Sequence, residues 1–497
     1  MGFTLRRFQN FFRILLGNRM AAVGLVILSI SIVVALLAPI VYPYDVQTTT
    51  VSGEYAQPAW VMNFPDGYGL SKNLVVVNDP AFKAPSALQE WRFFVNGQQT
   101  TSPFVSFAWS KLADGPLGGS VQVSSTSASP TTVGMSKNFH YPYHGPPRKF
   151  SLEPHFAVFK QSASPVSVRF FLDRLGERSY TLWAQNITDN GVWVTPRNTM
   201  ISDLLDYLPT IGFQGDCMHY TLPTVCRQTS LKAHGLIFPD VGDYSFGFEA
   251  KLNGPGTLNV EKVGLDLAGT AYGLLGTDAY GSDLFAQDVW GTRVSLFVGF
   301  LASFIGISLG LLVGLVAGYK TGLTDEILMR FTDMMLVIPV LPLLIVLIAV
   351  LGASITNIIL VIGFLGWMGF ARVIRSQVLT LKERPFIEAA KAAGAGTPRI
   401  LAKHVFPNIV SLTYVNLALT VPAAILFEAA LSFLGLGDPT SPSWGHTLYL
   451  GTIVFASFSS WWWVIPPGIA IAIVSLSFVL IGYALDEIFN PKLRARR

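Results

Sequence analysis

The chain has 497 residues, 51% of them hydrophobic and 13% charged, with a mean hydropathy of +0.47 and a formal net charge of +4. Such hydropathy excludes an ordinary soluble domain and makes an α-helical membrane protein the expectation. Nucleic acid is a poor partner for it, because basic clusters on a membrane chain mark the edges of spans. Two regimes divide the sequence: residues 45 to 275 hold 16 basic and 18 acidic residues, leaving 18 and 12 to all the rest. The apolar part therefore carries the positive excess, gathered at the start, at 372–403 and in the final NPKLRARR.

In chain order, the first element is the charge-free stretch that follows Arg19 and ends at Tyr44, long enough for one span of about 20 residues. Arg6, Arg7, Arg13 and Arg19 place its N-terminal side in the cytoplasm. ALLA (Ala35 to Ala38) resembles a cleavage site, but Pro39 would follow the cut and the apolar run is too long, so an uncleaved anchor is expected. Domain one is thus 1–44. Residues 45–272 then form an extracellular domain, in which SVRFFLDRL (Ser167 to Leu175), SYTLWAQNI (Ser179 to Ile187) and DYSFGFEAKL (Asp243 to Leu252) alternate or stay aromatic between turn signals. A β-rich, sandwich-like fold follows. Asn186 heads a glycosylation sequon there. Cys217 and Cys226, the only cysteines, do not support a zinc site and admit either one disulfide or two unpaired thiols. Trp60, Trp91, Trp109, Trp183 and Trp193 either fill the core of this domain or offer stacking surfaces, and the core is the commoner use of an aromatic ring.

Residues 273–497 read as a five-helix membrane core. Gly306, Gly310, Gly314, Gly318 and Gly322 recur every fourth residue; on a helix this is one ridge without side chains, against which a second membrane helix packs closely. Met334 to Ala371 contains no charge and has room for two spans joined at Gly352 to Asn357, with Pro339 and Pro342 able to kink the first. Further spans are expected at about Ile409–Leu431 and Val464–Leu485. Six crossings from an inside N-terminus return the C-terminus to the inside, which the basic tail matches. Glu428 is the one acid inside a predicted span, either a pathway residue or an end-of-span group that reaches outer water or caps the next loop. Asp325, Glu326 and Arg330 are spaced for a local ionic cluster.

Between the fourth and fifth spans, EAAKAAGAGTPRILAKHVFPN (Glu388 to Asn408) leaves the apolar pattern. Pro385 suits a first turn, Gly394 and Gly396 stop a helix, and Thr397 is placed to cap a second one that has Pro398 at its first position. Helix, turn, helix is the reading for 385–408, on the cytoplasmic face. On residues alone it is a contact for a partner, a solvated connection or a segment lying on anionic membrane lipid.

This stretch resembles the EAA motif of ABC importer permeases: Glu388, Ala389 and Ala390, then Gly394 four positions on and Pro407 thirteen beyond that. LLGTDAYGSDLFAQDVWGTRVSL (Leu274 to Leu296), ALSFLGLGDPTSPSWG (Ala430 to Gly445), LLAPIVYPYD (Leu36 to Asp45) and the segment Trp462 to Arg494 resemble the C-type subunit of dipeptide, oligopeptide and nickel permeases. Ser282 stands where that family usually has arginine, and Phe406 where it usually has leucine. The resemblance implies a type I importer permease fold of six transmembrane helices and no catalysis in this chain. It further implies a paralogous permease as heterodimer partner, two ATP-binding subunits that hold ATP and Mg, and an extracellular solute-binding protein. Glu388, Ala389, Ala390, Lys391, Gly394, Arg399, His404 and Pro407 would form the ATPase-coupling surface. No Gly-Lys dipeptide occurs in the chain, hence no P-loop, so ATP must be held by separate chains. Peptide import is the expected function; oligosaccharide or nickel import by the same machinery, or ion-coupled secondary transport, are the alternatives.

Overall fold

The structure is a computed structural model and describes residues 16–99, 102–111, 119–175, 178–195, 200–201, 233–453 and 460–489. Cys217, Cys226 and the basic tail lie outside these residues. The chain divides into two compact units, a helical one of residues 1–49 with 283–497 and a β unit of residues 50–282.

In the helical unit, α1 (Arg19–Val41) opens on Asn18, whose Oδ1 accepts from the amides of Met20 and Ala21 at 2.9 and 3.4 Å; this satisfies two of the four free donors at a helix start. Asp283 does the same for α2 (Leu284–Lys320), accepting from Phe285 and Ala286. With 37 residues, α2 is about 55 Å long and outlasts a bilayer core of about 30 Å. Then come α3 (Gly322–Val337), α4 (Val340–Leu351), α5 (Ile355–Leu365), α6 (Met368–Lys382), α7 (Pro385–Ala392), α8 (Thr397–Ile400), α9 (Phe406–Leu431), α10 (Trp444–Ile453) and α11 (Trp461–Phe489).

Among the described residues five helical stretches are long and apolar enough to span a membrane, and a sixth exists only if α3 and α4 count as one. Those two meet at 88°, so the chain expected to kink near Pro339 is broken into two helices there. Its cause is Pro339, which lacks an amide hydrogen and drives Ile338 before it into an extended conformation (φ −73°, ψ 127°).

The glycine ridge meets α5 and α6. A Cβ on Gly310 would lie 2.6 Å from the Trp367 carbonyl oxygen, one on Gly314 2.6 Å from that of Ala371, and one on Gly318 2.8 Å from the Val378 Cβ. Gly306 is seated against Gly363 and Gly366 in the same way. Gly322 departs from the expected ladder: it has φ +63° with open space around it and turns the chain into α3.

In the β unit, β1 (Arg92–Val95), β2 (Val105–Ser110), β3 (Ser120–Ser125), β4 (Thr131–Tyr141), β5 (Lys149–Lys160), β6 (Val166–Arg174), β7 (Arg178–Ile187), β8 (Gly242–Leu252) and β9 (Gly256–Ala268) are the longer strands. One antiparallel sheet runs β5-β9-β3-β2, extended by short strands at Trp193–Val194, Met200–Ile201 and Leu74–Val75; the other runs β1-β4-β8-β6-β7. Both send alternate side chains into one core that includes Phe150, Phe156, Val260, Phe170, Phe246 and Phe248. Residues 273–282, expected with the helices, belong to the β unit, where the Gly281 carbonyl accepts from the amides of Val51 and Ser52.

The tryptophans divide between core and surface. Trp91 is in the core, Trp109 and Trp183 pack against it, Trp193 is half-buried and Trp60 is exposed. Asn186 is exposed on the edge strand β7.

Candidate coupling site

The segment 385–405 folds as two short helices with opposite faces. Pro385 starts α7, after which Gly394 takes the left-handed conformation (φ +78°). Its amide donates to the Lys391 carbonyl and the next amide, of Ala395, reaches back to that of Ala390. That pair of bonds is the glycine-dependent stop that satisfies the last carbonyls of a helix. The second helix starts differently from expectation: Gly396 is the residue before it, Thr397 is already helical, and no side chain caps it. From α8 the chain continues through a π-helical turn, Leu401–Val405, directly into α9. On the other side Arg384 is extended (φ −79°, ψ 140°), so α7 is hinged to α6 rather than continuous with it.

Ile387, Ile400 and Val405 are the anchors, each at most 1% exposed and packed with Phe370, Ile374 and Val378 of α6 and Ile307 and Tyr319 of α2. Each fully buried aliphatic side chain contributes about 1.5–3 kcal/mol, and together the three offset an ordering cost of about 1–2 kcal/mol for each residue of the turn 393–396. Glu388, Ala389, Lys391, Gly394, Arg399 and Pro407 are exposed, and Ala390 and His404 half-buried. The expected coupling residues are thus mostly exposed, on a segment held from beneath by residues that the motif does not include.

Tyr319, the residue after Gly318, is a further link. The ammonium groups of Lys382 and Lys391 lie 5.9 and 5.7 Å from its ring centroid, within cation–π range. Two ion pairs tie α6 to α3: Arg375 with Asp325, at 2.6 Å from Nη2 to Oδ2, and Arg372 with Asp333, at 3.1 Å from Nε to Oδ1. The expected local cluster is therefore divided, since Arg330 pairs with Glu326 at 3.3 Å while Asp325 reaches across to α6. Sequence spacing showed the charges but not the long-range partners.

Deeper in the helical unit a cavity of about 190 Å³ lies between α2, α4, α5 and α9, with Leu344, Ile362 and Phe427 on its walls. Ser303 and Thr420 are its hydroxyl groups. Glu428 is not among the lining residues. It is 2% exposed and accepts from Ser295 of α2 at 3.2 Å and from Ser432 at 2.8 Å. The carboxylate is thus withdrawn from the surface of the helical unit, and one of its two donors, Ser432, belongs to the turn directly after α9.

The helical unit is thus a bundle of membrane-length helices with a firmly seated helical hairpin. Residues 310–495 match the family described as binding-protein-dependent transport system inner membrane component, and residues 6–58 match the N-terminal TM domain of oligopeptide transport permease C. The oligopeptide transport system permease protein OppC of Bacillus subtilis is 38% identical over 220 residues, covering 44% of this chain and 72% of that protein. The chain belongs to this family of binding-protein-dependent permeases, on its oligopeptide permease C side. Among solved structures, the inward-facing MetNI methionine ABC transporter aligns with 43% of this chain and 98% of its own at 19% identity and a TM-score of 0.33. TmCBM61, solved in complex with beta-1,4-galactotriose, aligns with 39% of this chain and 97% of its own at 9% identity and a TM-score of 0.23.

Proposed function

We propose that this chain is one of two permease subunits of an ATP-driven importer for peptides, lining the solute pathway and converting ATPase motion into a change of access. The observation that supports the reading most is the hairpin: Glu388, Ala389, Lys391, Gly394 and Arg399 are presented outward, while Ile387, Ile400 and Val405 fix the same segment to α2 and α6. A surface built this way takes force from a partner and delivers it to the bundle. In this reading the hairpin and both termini are cytoplasmic, residues 45–272 are extracellular, and ATP and Mg sit in two separate ATP-binding subunits. A paralogous permease and an extracellular solute-binding protein complete the complex.

The route of motion is material. Displacing α7 and α8 moves α9 through the continuous π-helical turn and moves α2 and α6 through the buried anchors. The cavity lies between α9, α2, α4 and α5, where a change in packing opens or closes a path, the two-state element that coupling requires. Peptide cargo is carried over from the name of the relative. Oligosaccharide import and ion-coupled transport are not favoured by the family match. Glu388→Arg and Gly394→Asp test the reading: each is expected to abolish ATP-dependent peptide uptake while the permease remains in the membrane. Undiminished uptake in both variants overturns it.

A further inference from the structure

Asn186 heads the one Asn-x-Ser/Thr triplet in the chain, and a motif so short carries weight only through where the fold puts it. Asn186 is the last residue but one of β7, and Thr188 begins the loop that turns at Gly191 (φ +70°). Residues two apart on a strand share a face. Asn186 and Thr188 are accordingly both exposed, while Ile187 between them is 4% exposed and belongs to the core. Among the described residues neither of the two side chains has a hydrogen-bond partner. Asn190, four residues on, is the contrast, because its Oδ1 accepts from the Lys160 amide at 2.7 Å. Asn190 is built into the fold and Asn186 is free of it.

The strand that carries it is an outer one. Among the described residues β7 is paired on one side only, with β6. Such a strand leaves a row of backbone donors and acceptors open to another chain, and folds guard it with short length, charge, proline, a bulge or a cover. The opposite outer strand of the same sheet, β1, is four residues long and begins at the exposed Arg92. By contrast β7 has ten residues. A bulge interrupts its pairing at Leu182, but beyond it Trp183 to Ile187 pair continuously with Phe170 to Val166 and contain neither charge nor proline. That stretch has no guard of its own, and Asn186 projects from it.

We infer that Asn186 is a site of N-glycosylation and that its glycan covers the free edge of β7. The inference rests on the proposed extracellular placement of residues 45–272, which puts the triplet on the side of the membrane where sequons are modified. The donor it requires is an oligosaccharide linked to a lipid pyrophosphate. The Asn186 Nδ2 forms a bond to C1 of the first sugar and gives up one proton, while the C1–O bond breaks and the lipid pyrophosphate leaves with the bonding electrons. Thr188 supplies the hydroxyl that the transferase reads, and both groups are accessible to it. A bulky, hydrophilic group at this position keeps a second strand from approaching Trp183 to Ile187. Peptide cargo plays no part in the inference, since the site belongs to a separate unit of the chain.

The test takes the full-length protein from its native membranes and reads the tryptic peptide Ser179 to Arg197, which contains the triplet, by mass spectrometry. A glycan mass on Asn186 is expected in wild type; Asn186→Gln and Thr188→Ala lose it, and Thr188→Ser keeps it. Wild-type protein in which this peptide is wholly unmodified overturns the inference, as does a glycan that Thr188→Ala leaves in place. Light scattering tests the covering role: Asn186→Gln, with its thermal midpoint unchanged, is expected to aggregate faster than wild type, and equal rates overturn that role. Labelling of Asn186→Cys by a membrane-impermeant maleimide, in a Cys217→Ser and Cys226→Ser background, separates failure of the site from failure of the placement. Label on intact cells with no glycan in wild type overturns the site alone. Label only after permeabilisation overturns the extracellular placement, and the site with it.

Discussion

Gly314 and Gly322 share a sequence register and differ completely in what they do. A methyl group on Gly314 meets the Ala371 carbonyl oxygen at 2.6 Å and the Ile374 Cβ at 2.7 Å, so two helix backbones must separate to admit it. On Gly322 it meets open space, and only the positive φ is costly. Gly314→Ala is therefore expected to destabilise the helical unit by about 1–3 kcal/mol through lost packing and Gly322→Ala by about 1–2 kcal/mol through its backbone alone, as read from thermal unfolding in detergent; Gly322→Asn, which tolerates positive φ, should be milder than Gly322→Ala, and a Gly314→Ala protein as stable as wild type would contradict the packing role. Glu261 supplies a second test at this scale. Burial raises its carboxyl above the usual value, so the folded protein holds a proton that the unfolded chain releases above about pH 4.5. Stability is then highest below that pH and falls as pH rises through the folded value. Glu261→Gln is expected to raise the unfolding midpoint of the β unit at pH 7 to 8, with the gain shrinking toward pH 4. The ionisable groups beside it are His155, which burial and Lys262 hold below its usual value, and Lys262 itself, paired with Glu153. Only the wild type's dependence on Glu261 disappears in the variant.

At the scale of elements, the spans were legible wherever apolar length decides them: α1, α2, α9 and α11 stand where the charge-free runs put them. The third span was not, because hydropathy registers only that 334–351 is apolar. What Pro339 does to Ile338 is a backbone effect that changes a bend into a break. The hairpin was legible from proline, glycine and the EAA pattern, whereas its anchors were not. Ile387 and Ile400 look like any isoleucine until α6 and α2 are placed beneath them. Long-range ion pairs are similarly silent in sequence, since nothing about Asp325 indicates Arg375. This pair is partly buried and connects α3 to α6, so Asp325→Arg alone is expected to cost about 1–3 kcal/mol. The exchange Asp325→Arg with Arg375→Asp should recover part of that cost in the same thermal measurement, and no recovery would mean that the two do not interact. Strand alternation revealed the two-faced sheets, but not the bulge between Val260 and Lys262, which buries Glu261 out of the alternation that a reader of sequence relies on.

For the whole molecule, the proposal makes this chain a transmission rather than an engine. It presents a docking surface, carries helices around a cavity, and leaves ATP to other subunits. Removing an anchor should therefore uncouple without preventing insertion. Ile387→Asp is expected to keep the protein in the membrane and to lose peptide uptake, as a transport assay on membrane vesicles would show. The most direct measurement is copurification of the solubilised protein with its ATP-binding subunits, followed by peptide-stimulated ATPase activity after reconstitution with the partner permease and solute-binding protein. The account predicts that wild type retains the ATPase and shows stimulation, while Glu388→Arg loses both and Gly322→Ala neither. A wild-type protein that purifies without any ATPase, or a Glu388→Arg variant coupled as well as wild type, would contradict it.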